Sequence, residues 1–354
     1  MLNSSDTSVA QADLLVGARN AVRTCMAISR SDRVIVITDR DIESIGFALG
    51  EESWDAADTV EMMYLEDFGE RPFSSVPPGL AEALQAALPT ATFFAAQGLP
   101  GESAFRIPLC HLLVGELRVR HAHMIHIDER LMVQGMRADY LVVSQVVQRV
   151  TDLVRAAREM HVTNPRGTDL RVTLSPALQW KPCPGIYHRQ GEWGNLPEGE
   201  TFTCPADAEG VVVADVLGDY FSRKYGVLRH PVSFSLAHGR VVQVQCEDRA
   251  LQNEVEHYLA SANNGNRVGE FAIGANLWVK TLMGNMLQDE KIPGVHVAFG
   301  DPYPEETGAD WSATTHMDVI PADCSIWADG RLLMRHGHFE SEVLAGIEEA
   351  QAAA

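Results

Sequence analysis

The strongest constraint on the fold is a short run near the N-terminus, Asp32-Arg33-Val34-Ile35-Val36-Ile37-Thr38-Asp39. Its apolar residues are consecutive rather than alternating, so a strand made from them has to be covered on both faces. Strands of that kind pair in parallel, and parallel pairs need long crossover connections that are usually helical. The next residues supply them. Asp41 is placed to cap a helix over 42–57, residues 59–65 read as a strand, 79–88 as a helix and 92–96 as a third strand. This βαβ rhythm predicts a doubly wound α/β domain. No G-x-G-x-x-G follows the first strand, so a dinucleotide site has no support.

The texture then changes. Residues 140–160 carry Leu141, Val142, Val146, Val147, Val150, Leu153 and Val154 at helical spacing. Beyond them Pro165-Arg166-Gly167-Thr168 reads as a turn, and Leu170-Arg171-Val172-Thr173-Leu174 alternates like a half-buried strand. His238-Gly239-Arg240 marks a hairpin, and Asp248 starts a helix running to residue 260. The chain has 354 residues, more than one core usually spans. The reading is an α/β domain over 1–160 and an α+β, metal-binding catalytic domain over 161–354, with an Ala-rich tail.

The charge balance narrows the function. With 28 Lys and Arg against 48 Asp and Glu, the formal net charge is -20, which disfavours nucleic acid and anionic lipid as partners. The six cysteines, Cys25, Cys110, Cys183, Cys204, Cys246 and Cys324, show no C-x-x-C spacing. Buried thiols in a reducing cytoplasm are expected. The polar stretch from Met1 to Asp13 lacks a secretory pattern, and no apolar run is long enough to span a bilayer.

The chemistry is signalled by His316-Met317-Asp318, followed by the run Val319-Ile320-Pro321-Ala322-Asp323-Cys324-Ser325-Ile326-Trp327. Strand residues two apart point the same way, so this H-x-D pair can chelate one divalent ion. Glu200, Glu270 and His296 lie upstream in the same domain. Glu270 sits in Gly269-Glu270-Phe271-Ala272-Ile273-Gly274, and His296 in Gly294-Val295-His296-Val297-Ala298-Phe299-Gly300. Imidazole nitrogens and carboxylate oxygens with one position left for water are the ligands of metal-dependent hydrolases. His188 and Trp193, in the glycine-rich stretch before Glu200, are candidates for touching substrate. His121, His123 and His126 are read as structural or pocket-lining, and His336-Gly337-His338 as an exposed turn. No G-x-S-x-G elbow occurs, and no cysteine has an evident histidine partner in the sequence.

These motifs also resemble a known family. Asn195-Leu196-Pro197-Glu198-Gly199-Glu200-Thr201-Phe202-Thr203 is similar to the N-x-P-x-x-E-x-F-T motif of the aminopeptidase T family of metallo-aminopeptidases. The series Gly269-Glu270, Ile273-Gly274-Ala275-Asn276, His296-x-Ala298-x-Gly300, Tyr303-Pro304-Glu305 and His316-x-Asp318 follows in the same order. The resemblance implies that Glu200, Glu270, His296, His316 and Asp318 are metal ligands. It further implies that Glu200 or Glu270 acts as proton acceptor and Tyr303 as the active-site tyrosine. A homodimer with Zn, Co or Mn, acting on a small amide or a short peptide, is expected on the same ground.

Two departures matter. Where the aminopeptidases tend to carry an acidic ligand shortly before the strand histidine, this chain has Lys291, with Asp289 and Glu290 slightly earlier. A lysine there would repel a second cation. The stretch 318–330 is more similar to the related 2,5-dihydroxypyridine 5,6-dioxygenases, whose single Fe(II) takes two histidines and a carboxylate. His296, His316 and Asp318 could form that set. Both peptidase-like glutamates are retained, however, and Trp193-Gly194-Asn195 lacks the histidine expected on a dioxygenase's substrate loop, so hydrolysis is the favoured expectation. A silent, ligand-binding descendant is the third alternative.

Overall fold

The structure, a computed structural model, describes residues 9–347. Most of the polar stretch at the N-terminus and the Ala-rich tail lie outside them. The chain divides into two compact units, one of Met1–Tyr140 with Gly185–Pro197, the other of Leu141–Pro184 with Glu198–Ala354. The expected break near residue 160 therefore falls inside the second unit. The helix Tyr140–Val154 precedes the change of texture, yet its Val143 packs in that unit, at the Gly199 turn that leads into the Glu200 strand.

The first unit is built on a five-stranded parallel sheet in the order Thr59–Tyr64, Arg33–Thr38, Ala91–Ala95, Arg120–His123, Trp193–Asn195. Arg33–Thr38 is an interior strand, flanked on both edges, and apart from Arg33 it is buried, as its unbroken apolar run requires. Ile35, Ile37, Leu80, Leu84, Phe94 and Phe105 join in one core, each worth about 1.5–3 kcal/mol by burial. The cap before the second helix is Asp39, whose carboxylate accepts from the Ile42 N–H. Asp41, expected in that role, lies inside the short 3-10 turn Arg40–Ile42. Trp193-Gly194-Asn195, read as part of a loop, forms the last strand of this sheet, opposite His121-Ala122-His123.

The second unit contains two antiparallel sheets. The eight-stranded one includes Asp207–Ala214, Val232–Ala237 and Arg240–Gln245, the last two joined by His238-Gly239 with φ of 51° and 65°. Two successive positive φ values make a tight turn whose twist matches the flanking strands. Asp248 caps the helix Arg249–Ala260 by accepting from the Ala250 and Leu251 N–H groups.

The six-stranded sheet runs in the order Val216–Leu217, His316–Ile320, Gly294–Gly300, Val268–Gly274, Glu200–Thr203, Lys181–Cys183. The run after Asp318 is two strands rather than one. His316–Ile320 stops at Pro321, Asp323 turns the chain at φ 54°, and Ser325–Ala328 joins the eight-stranded sheet. Phe299 and Phe234 connect the two sheets, their ring centroids 5.0 Å apart. No helix among the described residues is long and apolar enough to cross a membrane. All six cysteines are free thiols.

Candidate metal centre

Four neighbouring strands of the six-stranded sheet carry the five side chains singled out from the sequence. Their register explains why they meet. Gly274 lies opposite Glu200, Ala272 opposite Phe202 and His296, Ala298 opposite Glu270 and Asp318, and Gly300 opposite His316. Paired residues share a face and positions two apart repeat it, so Glu200, Glu270, His296, His316 and Asp318 all project from one side. Each faces an alanine or glycine on a neighbouring strand, which leaves it room to lean inwards. The alternate residues Phe271, Ile273, Val297, Phe299 and Val319 are buried on the other side. Two close approaches fix the edge of the site. Gly300, at φ 112°, lies where a Cβ would meet the Thr315 carbonyl at 2.0 Å, and a Cβ on Gly218 would lie 2.9 Å from Asp318 Oδ2.

The polar atoms converge. His296 Nε2 lies 3.1 Å from Glu270 Oε1, 3.4 Å from Glu200 Oε2 and 4.0 Å from Asp318 Oδ1. His316 Nε2 lies 3.4 Å from Asp318 Oδ1 and 3.6 Å from Glu270 Oε2. His316 Nδ1 is 2.9 Å from the Asp301 carbonyl oxygen, to which it donates, so the ring turns Nε2 towards the acids. The Tyr303 ring stands 4.7 Å from that of His316 and is 41% exposed, on a left-handed residue at the start of Pro304–Thr307.

Burial alone would lower both imidazoles. Glu200 and Glu270 beside His296 and Asp318 beside His316 outweigh it, raising them to about 9 and about 10. Burial likewise works to raise Asp318, but the two imidazoles hold it below the ordinary carboxylate value. A divalent ion would replace those imidazole protons, and the donors suit it. Glu270, His316 and Asp318 present ligand atoms within 4.8 Å of one another, as do Glu290, His296 and Asp318. Glu200 Oε2 is buried without a hydrogen-bond partner on the side of the His296 Nε2 nitrogen, a costly state that a cation or its water would relieve.

Glu290, Lys291 and Glu198 adjoin these five side chains. Glu290, placed too early by spacing, reaches the site as the C-cap of the short helical turn Met286–Asp289. Lys291 is fully buried and bonds Glu200, Glu290 and Glu198 together. Burial raises Glu198 and Glu290, to about 7 and about 8, despite that lysine. Asp289 is structural, with its carboxylate accepting from the N–H groups of Met283, Gly284 and Asn285. A useful signal was the repeated pattern Glu-Phe-Ala-Ile-Gly and His-Val-Ala-Phe-Gly, a ligand followed by small residues on its own face.

Other histidines have partners of their own. His188 Nε2 bonds the Thr24 carbonyl at 2.8 Å, and Trp193 is 48% exposed; both belong to the first unit. His121 and His123 approach Cys110, with Sγ 3.9 and 3.7 Å from their nearer nitrogens. An arginine N–H can only donate, so His123 Nε2 accepts from Arg106 at 3.3 Å and keeps its proton on Nδ1. That proton points at His121 Nε2, 3.2 Å away, and His121 Nδ1 donates to Thr92 Oγ1 at 2.8 Å. Every ring nitrogen of this buried pair is satisfied without an ion, as suits His121, which burial holds down to about 3. A third group, Asp207, Glu209 and His238, sits largely exposed on the hairpin side of the eight-stranded sheet.

Known proteins resemble the chain in sequence and in fold. The family model for thermophilic metalloproteases (M29) matches residues 138–319, a span that includes all five site residues. Wild-type AmpT from Thermus thermophilus has a similar fold, with TM-score 0.69 and 18% identity over 93% of this chain and 99% of that one. So has 2,5-dihydroxypyridine dioxygenase from Pseudomonas putida KT2440, with TM-score 0.67 and 16% identity over 94% and 98%. No curated protein matches the chain.

Proposed function

Because the chain belongs to the thermophilic metalloprotease (M29) family, we propose that it is a metal-dependent hydrolase of aminopeptidase T type, cleaving a small amide or the N-terminal residue of a short peptide. The observation that carries this reading is the convergence of Glu200, Glu270, His296, His316 and Asp318 on one face of four strands. Glu270, His296, His316 and Asp318 would hold a divalent Zn, Co or Mn ion. When bound, the ion would supply Lewis acidity and a water acidic enough to act as a nucleophile near neutral pH. Glu200 is the proton acceptor in this account, since Oε1 is held by Lys291 while Oε2 faces the site without a hydrogen-bond partner. Tyr303, whose ring lies against His316, would donate its hydroxyl to the carbonyl oxygen as negative charge develops there. Asp301 keeps the His316 proton on Nδ1 and so leaves Nε2 as the metal-facing nitrogen. The homodimer belongs to the same proposal, and light scattering tests it.

A second reading is supported by one specific feature, the pairing of two imidazoles with Asp318 beside acids already engaged by Lys291. That set suits a single Fe(II) with positions open for substrate and oxygen, as in a ring-cleaving dioxygenase acting on a hydroxylated pyridine. Metal analysis combined with two assays separates the readings. Turnover of aminoacyl chromogenic amides with Zn, Co or Mn and no oxygen uptake supports hydrolysis. Iron-dependent oxygen consumption with a dihydroxypyridine, and no amide turnover, would overturn it.

A further inference from the structure

We propose that the Lys291 ammonium is a built-in cation that fills a carboxylate pocket beside the metal centre, so that the second unit holds one divalent ion rather than two. The proposal rests on the metal-dependent reading above. Lys291 is wholly buried, and its Nζ lies 2.6 Å from Glu200 Oε1, 2.7 Å from Glu290 Oε1 and 2.8 Å from Glu198 Oε1. One of its N–H groups donates to Glu200 Oε1, and the Glu290 and Glu198 oxygens stand at ion-pair distance around the same nitrogen. The side chains of Glu198, Glu200 and Glu290 are 3%, 8% and 13% exposed, so water does little to screen them. Three buried acids around one point form a pocket that demands positive charge.

Without the lysine this pocket has the makings of a metal site. Cys183 Sγ and carboxylate oxygens of Glu198 and Glu200 lie within 4.8 Å of one another, and Glu290 completes the ring. Divalent ions and the ammonium compete for the same oxygens, and a fixed charge at their centre repels a mobile one. The two compartments share Glu200. Its Oε1 belongs to Lys291, while its Oε2 lies 3.4 Å from His296 Nε2, on the side of the metal centre. Lys291 is therefore a positioning residue, fixing the orientation of the carboxylate that would accept the proton.

The test is metal stoichiometry of the full chain, loaded with excess Mn(II) or Zn(II), desalted and measured by mass spectrometry. A Glu209→Gln, Cys110→Ser background weakens the exposed Asp207, Glu209 and His238 group and the Cys110, His121 and His123 group of the first unit, either of which could add an ion. The expected results are one equivalent in the parent and in Lys291→Arg, and two in Lys291→Met, whose thermal midpoint should also rise more on adding metal. Two equivalents in the parent, or a folded Lys291→Met that stays at one, overturns the inference. A parent that binds no Mn(II), Zn(II), Co(II) or Fe(II) overturns the metal-dependent reading itself. Should Lys291→Met not fold, the parent count still decides between one ion and two.

Discussion

Glu270 offers the sharpest single test of the site, because each of its two carboxylate oxygens faces a different imidazole. Its Oε1 lies 3.1 Å from His296 Nε2 and its Oε2 lies 3.6 Å from His316 Nε2. Glu270→Gln keeps the shape, removes the charge and puts an amide NH2 where one acceptor oxygen stood. Loss of an outer partner of a metal ligand typically costs 10–100-fold in affinity, so loss of a direct carboxylate should cost at least about 100-fold, or about 2.7 kcal/mol. That floor is conservative, since unit charges about 4 Å apart interact by roughly 4 kcal/mol at an effective dielectric of 20. A competition titration against a chromogenic Zn(II) chelator measures the change, with circular dichroism confirming the fold. Glu209→Gln, in the exposed group of the eight-stranded sheet, should leave the tight site unchanged. If Glu270→Gln binds within about threefold of the parent, the imidazoles are not part of a metal centre organised by this carboxylate.

Other consequences follow from the same structure. Tyr303→Phe should lower kcat by about 100- to 1,000-fold while KM changes little, as for loss of an oxyanion donor; an unchanged kcat removes the tyrosine from the mechanism. Gly218→Ala should weaken metal binding, because the new Cβ would stand 2.9 Å from Asp318 Oδ2, and calorimetric titration with Zn(II) checks it. Arg71 is buried between Asp39 and Glu102, at 2.8 and 2.7 Å, so Arg71→Met should destabilise the fold by about 3–5 kcal/mol in urea unfolding. Burial works to raise Asp32, but bonds from Thr90, Ser29 and Arg120 hold it below its ordinary value. Its stabilising contribution is therefore complete above the unfolded carboxylate range, about pH 4, and is lost as pH falls through the lowered value. Urea midpoints across that interval should fall less for Asp32→Asn than for the parent.

The parts of the fold legible in the sequence were those set by local periodicity. The uninterrupted Val34-Ile35-Val36-Ile37 run could only be a covered strand, and His238-Gly239 supplied the positive φ its hairpin needs. His316 and Asp318 were readable as a pair because strand geometry places residues two apart on one face. What escaped depends on long-range packing. The unit boundary lies at residues 140 and 141 rather than near 160, and the Val143 side chain lies beside Gly199 of the same unit, a proximity that helical spacing does not encode. Trp193-Gly194-Asn195 became a strand because the edge at His121-Ala122-His123 was open to it, not through any pattern of its own. Glu290 and Glu198 joined the site through Lys291, whose buried charge binds together residues far apart in the chain. A lone lysine in the sequence signals repulsion of a metal. Only its three carboxylate partners reveal an acidic pocket that already holds a cation.

The most direct test of the central claim is an anomalous difference map from crystals of the full chain grown with Zn(II). The account predicts a peak between the four strands, about 2.0–2.2 Å from His316 Nε2 and from carboxylate oxygens of Glu270 and Asp318. Density confined to Cys110, His121 and His123, or to Asp207, Glu209 and His238, with nothing at the four strands, would contradict it.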